Sequence, residues 1–150
     1  MPLTPTSPKK SAPALILAAA FVASCGEGPR ASATNVRLAP VAQLPAELLE
    51  VSPAVREAYQ FAAANPDVLE QLPCYCGCGG MGHASNYACF VASVDPGGAI
   101  TYDGHAVGCS ICIDIARDAM RLLGEGQDLQ AIRTHVDNTY SRYGPFNMTR

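Results

Sequence analysis

The stretch Pro73-Cys74-Tyr75-Cys76-Gly77-Cys78-Gly79-Gly80 places three thiols within five residues and sets glycines among and after them. Neighbouring cysteines in a Cys-x-Cys array rarely pair with each other, because a disulfide requires a particular Cα separation and Cβ direction. Glycine allows left-handed and tightly turned backbone. We therefore expect a loop that directs three sulfur atoms toward one point.

Further donors follow this loop, and they are Cys89, Cys109, Cys112, His83 and His105. Cys109 and Cys112 are three residues apart at the start of a predicted helix, so their side chains share one face. The helix N-terminus favours a thiolate there. We predict a metal site built by Cys74, Cys76, Cys78, Cys89, Cys109 and Cys112, with His83 and His105 as helpers.

The number and type of donors indicate a soft metal. Thiolates select Cu(I), Zn(II) and related ions. Six thiols and two imidazoles exceed the four ligands of one tetrahedral zinc, which favours a thiolate-bridged multinuclear centre or a site where an ion moves between ligand sets. Cu(I) tolerates two or three sulfur ligands, so we expect Cu(I) first. Zn(II), mercury or silver would bind the same groups.

Two other interpretations of the cysteines stay open. The six thiols could form three structural disulfides, which are typical of exported domains and contribute roughly 2–4 kcal/mol each; this leaves the crowding at residues 74–78 unexplained. Alternatively, Cys109-Ser110-Ile111-Cys112 could be a thioredoxin-like redox motif. Such motifs follow a strand in a βαβ unit, and this chain shows no such pattern.

The first residues have the pattern of a secretory signal: Lys9 and Lys10, an apolar run over residues 12–21, then Val22-Ala23-Ser24-Cys25. A cysteine after small residues resembles a bacterial lipobox, which implies cleavage before Cys25 and a lipid on its sulfur. We expect a signal peptide at 1–24 and an exported protein held on the outer face of a bacterial membrane by this lipid. Without the two lysines the net charge falls from −3 to −5, which disfavours nucleic acid as a partner.

The rest of the chain predicts a mainly α domain. Residues 25–46 are rich in Ala, Pro and Ser and predict a flexible tether. Residues 47–150 predict about four or five helices with Cys/Gly-rich loops. The expected helices start at Ser52-Pro53, after Pro66, at Ser85 (to about Val94), at Cys109 (ending at Gly124) and at Asp128 (to Tyr143), and Ile100–Tyr102 is expected to be extended.

The sequence contains no pattern of a catalytic acid–base set, phosphate loop or dinucleotide fingerprint. Asp114 and Asp118 lie four residues apart and predict a solvated helix face rather than a catalytic pair. His135 predicts a solvated or hydrogen-bonded helix residue. We therefore expect binding and handover of an ion, for example to a copper-accepting protein, rather than catalysis.

The hexapeptide Pro73-Cys74-Tyr75-Cys76-Gly77-Cys78 resembles the motif that names the bacterial PCYCGC family, whose members are described chiefly as proteins of unknown function. Gly82-His83, Cys89-Phe90-Val91, His105 and the Cys109–Cys112 pair are similar to the wider pattern of that family. The similarity covers about residues 52–143. Members are often predicted lipoproteins, which agrees with Cys25. The resemblance implies a fold family and leaves the ligand open.

Overall fold

The computed structural model describes Met1 and residues 36–148. The predicted signal peptide beyond Met1 and the predicted lipidation site Cys25 lie outside the described residues. The described part is mainly helical, as expected, with a small two-stranded sheet. Its elements are α1 (Pro53–Ala64), α2 (Pro66–Leu69), β1 (Val91–Val94), β2 (Ile100–Tyr102), α3 (Ser110–Gly124) and α4 (Leu129–Tyr140), with short 3-10 helices between them. None of these helices has the length and apolar character needed to cross a bilayer.

Residues 36–46 form a packed arm rather than the flexible tether predicted for them. Ala39 and Leu44 are buried, and Val36 packs against the core. The backbone N–H of Ala39 donates to Gln60 O at 3.0 Å, and Gln60 Nε2 donates to Ala39 O at 2.7 Å. Burial of these apolar side chains offsets the conformational entropy that is lost when the segment becomes ordered. The Ala-, Pro- and Ser-rich composition of the segment does not reveal this burial.

Helix α1 begins and ends as its sequence predicts. Ser52 is the N-cap, its side chain accepts from the Val55 N–H, and Pro53 takes the first helical position. Asn65 ends the helix before Pro66. The Asn65 side chain is buried and donates to Phe61 O at 2.7 Å and to Arg37 O at 2.8 Å. It thereby joins the packed arm to the end of α1.

The helix predicted from Ser85 to Val94 is wrong. Only Tyr87–Cys89 is helical, as a short 3-10 turn, and Val91–Val94 is strand β1. Strand β1 pairs antiparallel with β2, from Val91 opposite Tyr102 to Val94 opposite Ile100, with one irregularity near Ser93. The β-branched residues of both segments and the tight turn at Asp95–Gly98 favour a hairpin, and this outweighs the helical spacing of the apolar residues.

Helices α3 and α4 are confirmed with small changes at their ends. Gly124 lies inside α3, and the left-handed residue after the helix is Gly126, whose φ is 81°. Helix α4 ends at Tyr140, and residues Ser141–Tyr143 continue as a 3-10 turn. The Tyr143 side chain is exposed.

The core lies around α3, which packs against α1, α2 and α4. Its largest fully buried apolar side chains are Tyr59, Phe61, Leu69, Leu72, Phe90, Ile115, Ile132 and Val136. The apolar positions of α2 and Leu72 face inward as predicted, and Pro73 then leads the chain to Cys74. Residues 74–82, which we call the thiol loop, therefore lie at the core beside the start of α3.

A polar contact joins α3 to α4 away from the cysteines. Asp118 Oδ2 lies 2.9 Å from His135 Nε2 and accepts a hydrogen bond from the Tyr140 hydroxyl at 2.8 Å. Arg121 contacts Asp118 Oδ1 at 3.0 Å. Burial raises the pKa of Asp118, but the hydrogen bonds from His135, Tyr140 and Arg121 outweigh burial and hold this pKa below the ordinary value. Asp118 is thus not the solvated residue that was expected, whereas His135 is hydrogen-bonded.

We predict that Asp118→Asn lowers the free energy of unfolding by about 1.5–3 kcal/mol at pH 7, the range for hydrogen bonds to a charged group. A carboxyl group whose folded-state pKa is depressed stabilises the fold above its unfolded pKa, near 3.9. This contribution is lost as the pH falls through the folded-state pKa. The difference between wild type and variant in urea denaturation should therefore shrink as the pH is lowered below about 3.9.

Asp114→Asn is the matched control, because it removes the same charge one turn earlier in α3. Asp114 is exposed and has no hydrogen bond among the described residues. Its substitution should change the free energy of unfolding by less than about 0.5 kcal/mol. Equal stability of Asp118→Asn and wild type at pH 7 would show that the contact does not stabilise the fold.

Candidate metal centre

The thiol loop is a tight turn held between two left-handed glycines. Gly77 has φ of 85° and Gly82 has φ of 91°, and between them Cys78–Met81 forms a 3-10 turn. A side chain is disfavoured at both positions because L-residues rarely adopt positive φ. Behind the loop, the Asn86 N–H donates to Leu72 O at 2.8 Å. These constraints fold the loop back so that its sulfurs face the start of α3.

The sulfurs of the loop meet those of later segments. Cys74 Sγ lies 3.4 Å from Cys76 Sγ and 3.3 Å from Cys112 Sγ, and Cys76 Sγ lies 3.6 Å from Cys112 Sγ. Cys78 Sγ lies 3.5 Å from Cys89 Sγ. Sulfurs that share one ion through bonds of about 2.3 Å would be roughly 3.7–4 Å apart. The observed spacing is close to that of a common ligand sphere.

Both predicted histidines lie at this cluster. His105 Nε2 is 3.5 Å from Cys76 Sγ, and the rings of His105 and His83 are 4.9 Å apart in an edge-to-face arrangement. His83 Nε2 lies 3.4 Å from Asp103 Oδ2, while its Nδ1 is buried without a hydrogen-bond partner. Asp103 also accepts from the His105 backbone N–H at 2.7 Å. A carboxylate behind an imidazole is a common support for a metal-ligating histidine.

The structure brings all eight predicted site residues into one connected set. Four overlapping groups have ligand atoms within 4.8 Å of one another: Cys76–His105–Cys109–Cys112, Cys78–His83–Cys89–His105, Cys74–Cys76–Cys78 and Cys74–Cys89–Cys112. Each group is close enough to hold a metal ion. The four most buried cysteines are Cys74, Cys78, Cys89 and Cys112, whereas Cys76 and Cys109 are half-buried. The distances do not select one metal, so the identity of the ion stays a prediction.

All six cysteines in the described part of the chain are free thiols. The sulfur–sulfur distances of 3.3–3.6 Å exceed the disulfide bond length of about 2.05 Å. The six sulfurs are also not separated into distant pairs, as a set of structural disulfides would be. The structure therefore shows a cluster of free thiols rather than three structural disulfides.

Hydrogen bonds among the thiols, together with burial, shift the pKa values of individual cysteines in opposite directions. Hydrogen bonds from Cys112 and then Cys89 to the Cys74 sulfur lower the pKa of Cys74 to about 2. The same hydrogen bond to Cys74, together with burial, raises the pKa of Cys112. Burial raises the pKa of Cys76 and of Cys78. Loss of the thiol proton is therefore favoured at Cys74 and disfavoured at Cys76, Cys78 and Cys112, and a metal ion would displace such protons.

Helix α3 contributes its N-terminus to the cluster. Cys109 is the N-cap residue and Cys112 lies in the first turn. Unpaired backbone N–H groups and the helix dipole favour negative charge at this end. The two sulfurs lie in one group of ligand atoms within 4.8 Å, as their spacing on one helix face predicts. Both residues also join Cys76, which comes from the loop.

Asn147 holds the thiol loop from the far end of the chain. Its Oδ1 accepts from the Cys74 N–H at 2.7 Å, and its Nδ2 donates to His83 O at 2.8 Å and to Cys78 Sγ at 3.6 Å. The chain reaches this place through Gly144, where an added Cβ would lie 2.8 Å from Tyr75 O. Sequence analysis missed Asn147, because no local pattern connects an asparagine to a cysteine 73 residues earlier.

We predict that Asn147→Ala lowers the free energy of unfolding by about 1–3 kcal/mol, because it leaves the Cys74 N–H and the His83 carbonyl without their partner. Metal affinity should fall by about 10–100-fold, the usual effect of losing a group that supports a ligand. Urea denaturation measures the first quantity, and competition with a chromophoric chelator measures the second.

Asn138→Ala provides the control, since Asn138 is exposed on α4 and has no hydrogen bond among the described residues. Both quantities should stay at the wild-type value in this variant. A wild-type metal affinity in Asn147→Ala would mean that the three hydrogen bonds do not position the sulfurs.

Two of the three comparisons with known proteins gave no match: no curated protein and no solved structure is similar to this chain. The third gave a family model, "Protein of unknown function with PCYCGC motif", which matches residues 22–149. The matched range contains the thiol loop, both histidines, the Cys109–Cys112 pair and Asn147. The chain therefore belongs to the family of proteins of unknown function with the PCYCGC motif.

Proposed function

We propose that this protein is an exported, lipid-anchored protein that binds a soft metal ion, Cu(I) before others, in its cysteine cluster. Storage of the ion, its delivery to a copper-accepting protein, or protection against its toxicity would all use such a site. The single observation that carries the proposal is that six sulfurs and two imidazoles from separate segments converge in one connected cluster.

Cluster composition supports a soft ion. Cys74, Cys89 and Cys112 form a group of three sulfurs, all buried, and a three-sulfur environment suits Cu(I). A zinc ion would find a Cys3His set at Cys76, His105, Cys109 and Cys112. One zinc ion would use four of the eight donors, so the full set suits a multinuclear centre, and its six thiols favour a soft ion such as Cu(I).

Accessibility of the cluster supports uptake and release rather than permanent burial. Cys76 and Cys109 are half-buried, and they belong to the same group as His105. An incoming ion, or the thiol of a partner protein, can reach these two sulfurs first. Behind them lie two close pairs of buried sulfurs, Cys74–Cys112 at 3.3 Å and Cys78–Cys89 at 3.5 Å, and groups of ligand atoms within 4.8 Å connect the pairs. Stepwise exchange of ligands among these groups would move an ion without releasing it to water.

Export and membrane attachment rest on the sequence. Lys9 and Lys10, the apolar run over residues 12–21 and the cysteine at position 25 form the pattern of a lipoprotein signal. Lipidation at Cys25 would add one sulfur-linked anchor to a protein of net negative charge. Free thiols outside the cytoplasm are exposed to oxidation, and bound Cu(I) would protect them.

The test uses the full chain with Cys25→Ser, purified anaerobically, so that only the six cluster thiols are counted. We predict that this protein removes Cu(I) from a chromophoric chelator and binds it in preference to Zn(II). Cys76→Ala should weaken Cu(I) binding by more than about 100-fold, beyond the effect of losing a supporting group, because it removes a sulfur that lies 3.4 Å from Cys74 and 3.6 Å from Cys112.

Ser93→Ala is the control for this experiment, because Ser93 is exposed on β1. It should bind Cu(I) like wild type. Absence of any retained Cu(I) would overturn the proposal, and preferential retention of Zn(II) would overturn the choice of copper. Native mass spectrometry of protein made without reductant addresses the disulfide alternative, since each bridge lowers the mass by two hydrogens.

A further inference from the structure

The donors of the cluster divide into two halves. One half is Cys76–Cys109–Cys112 and the other is Cys78–His83–Cys89, and His105 is grouped with both. Among the groups found in residues 36–148, Cys109 and His83 never occur together. A single ion with about four ligands would use one half and leave the other without a ligand function.

Cys74 lies between the two halves. Its sulfur is 3.4 Å from Cys76 and 3.3 Å from Cys112, which belong to the first half. It is also grouped with Cys78 and with Cys89, which belong to the second. Cys76 is also grouped with Cys78, and Cys112 with Cys89, but of the six described cysteines Cys74 alone is grouped with two cysteines of each half. A thiolate has more than one lone pair, so the Cys74 sulfur is placed to bind two ions at once.

His83 provides independent evidence for a ligand in the second half. Its Nδ1 is buried and has no hydrogen-bond partner, although buried polar atoms are rarely left unpaired. Its Nε2 faces Asp103 at 3.4 Å. In this arrangement the carboxylate fixes the ring, and Nδ1 stays available as a ligand. An ion in the first half alone would leave this atom unsatisfied.

We propose that the cluster is a two-ion centre, with one soft ion at Cys76–Cys109–Cys112, a second at Cys78–His83–Cys89, and the Cys74 sulfur bridging them. His105 is grouped with both positions and would supply a further ligand to either ion. Two ions that share one sulfur through bonds of about 2.3 Å are at most about 4.6 Å apart. The two positions differ chemically, because the first has two half-buried sulfurs and the second has two buried sulfurs and an imidazole.

The two-ion centre rests on the proposed function, and the experiment separates the failure of one from the failure of the other. The full chain with Cys25→Ser is loaded anaerobically with Cu(I) and passed through a desalting column. Native mass spectrometry then counts the ions, and X-ray absorption measures the copper–copper distance. We expect two Cu(I) per chain and a copper–copper distance below about 4.6 Å.

Variants at the two ends of the cluster assign the positions. Cys109→Ser and His83→Ala should each reduce the count to one Cu(I) and remove the copper–copper signal. Cys109 is half-buried and His83 is not in the hydrophobic core, and circular dichroism checks that both variants fold. Ser110→Ala, at an exposed position beside Cys109, should retain two ions.

Each remaining outcome has a definite meaning. One Cu(I) per wild-type chain, or two without a copper–copper signal, would overturn the bridged centre and leave the proposed function in place. No Cu(I) on the wild-type chain would overturn both. Because the wild-type measurement alone decides between these results, the inference stays testable even if a variant fails to fold.

Discussion

Several ionisable sulfurs share one buried space, and their mutual electrostatics constrains the rest of the structure. Thiolates at 3.3–3.6 Å cannot all be charged in a low-dielectric interior, because like charges oppose each other's ionisation. The hydrogen bond between Cys74 and Cys112 lowers the pKa of Cys74 and raises that of Cys112, so the two thiols do not ionise equally. A soft cation would meet this constraint by replacing the protons. Protons and a metal ion would therefore compete for these sulfurs.

The fold supplies what such a crowded cluster needs. Helix α3 presents its N-terminus to Cys109 and Cys112, and its apolar side packs into the core formed with α1 and α4. Support for the sulfurs comes from polar side chains around them: Asn86 donates to Cys112 O, Asn147 holds Cys74 and Cys78, and Asp103 faces His83. These groups position the donors and are as much a part of the site as the sulfurs.

Local patterns predicted the elements that depend on local chemistry. The cap at Ser52, the break at Asn65-Pro66 and the helix at Cys109 follow from such rules, and the chemistry of cysteine and histidine was enough to nominate all eight donors. The extended segment Ile100–Tyr102 was predicted, but strand β1 was missed because its pairing with β2 decides it, and the packed arm was missed because burial against the core decides it. Asn147 and Asp103 carry no signature in the sequence, since their roles arise only from contacts with distant segments.

The hydrogen bond from Cys74 to Asn147 joins residues 73 positions apart. Closing so large a loop is among the slower events of folding, because the entropy of the intervening chain is lost before the contact forms. Helices can form earlier, but the site residues reach their final positions only when the segment around Asn147 packs against the thiol loop. A chain that has not yet formed this contact would therefore lack the final arrangement of its sulfurs.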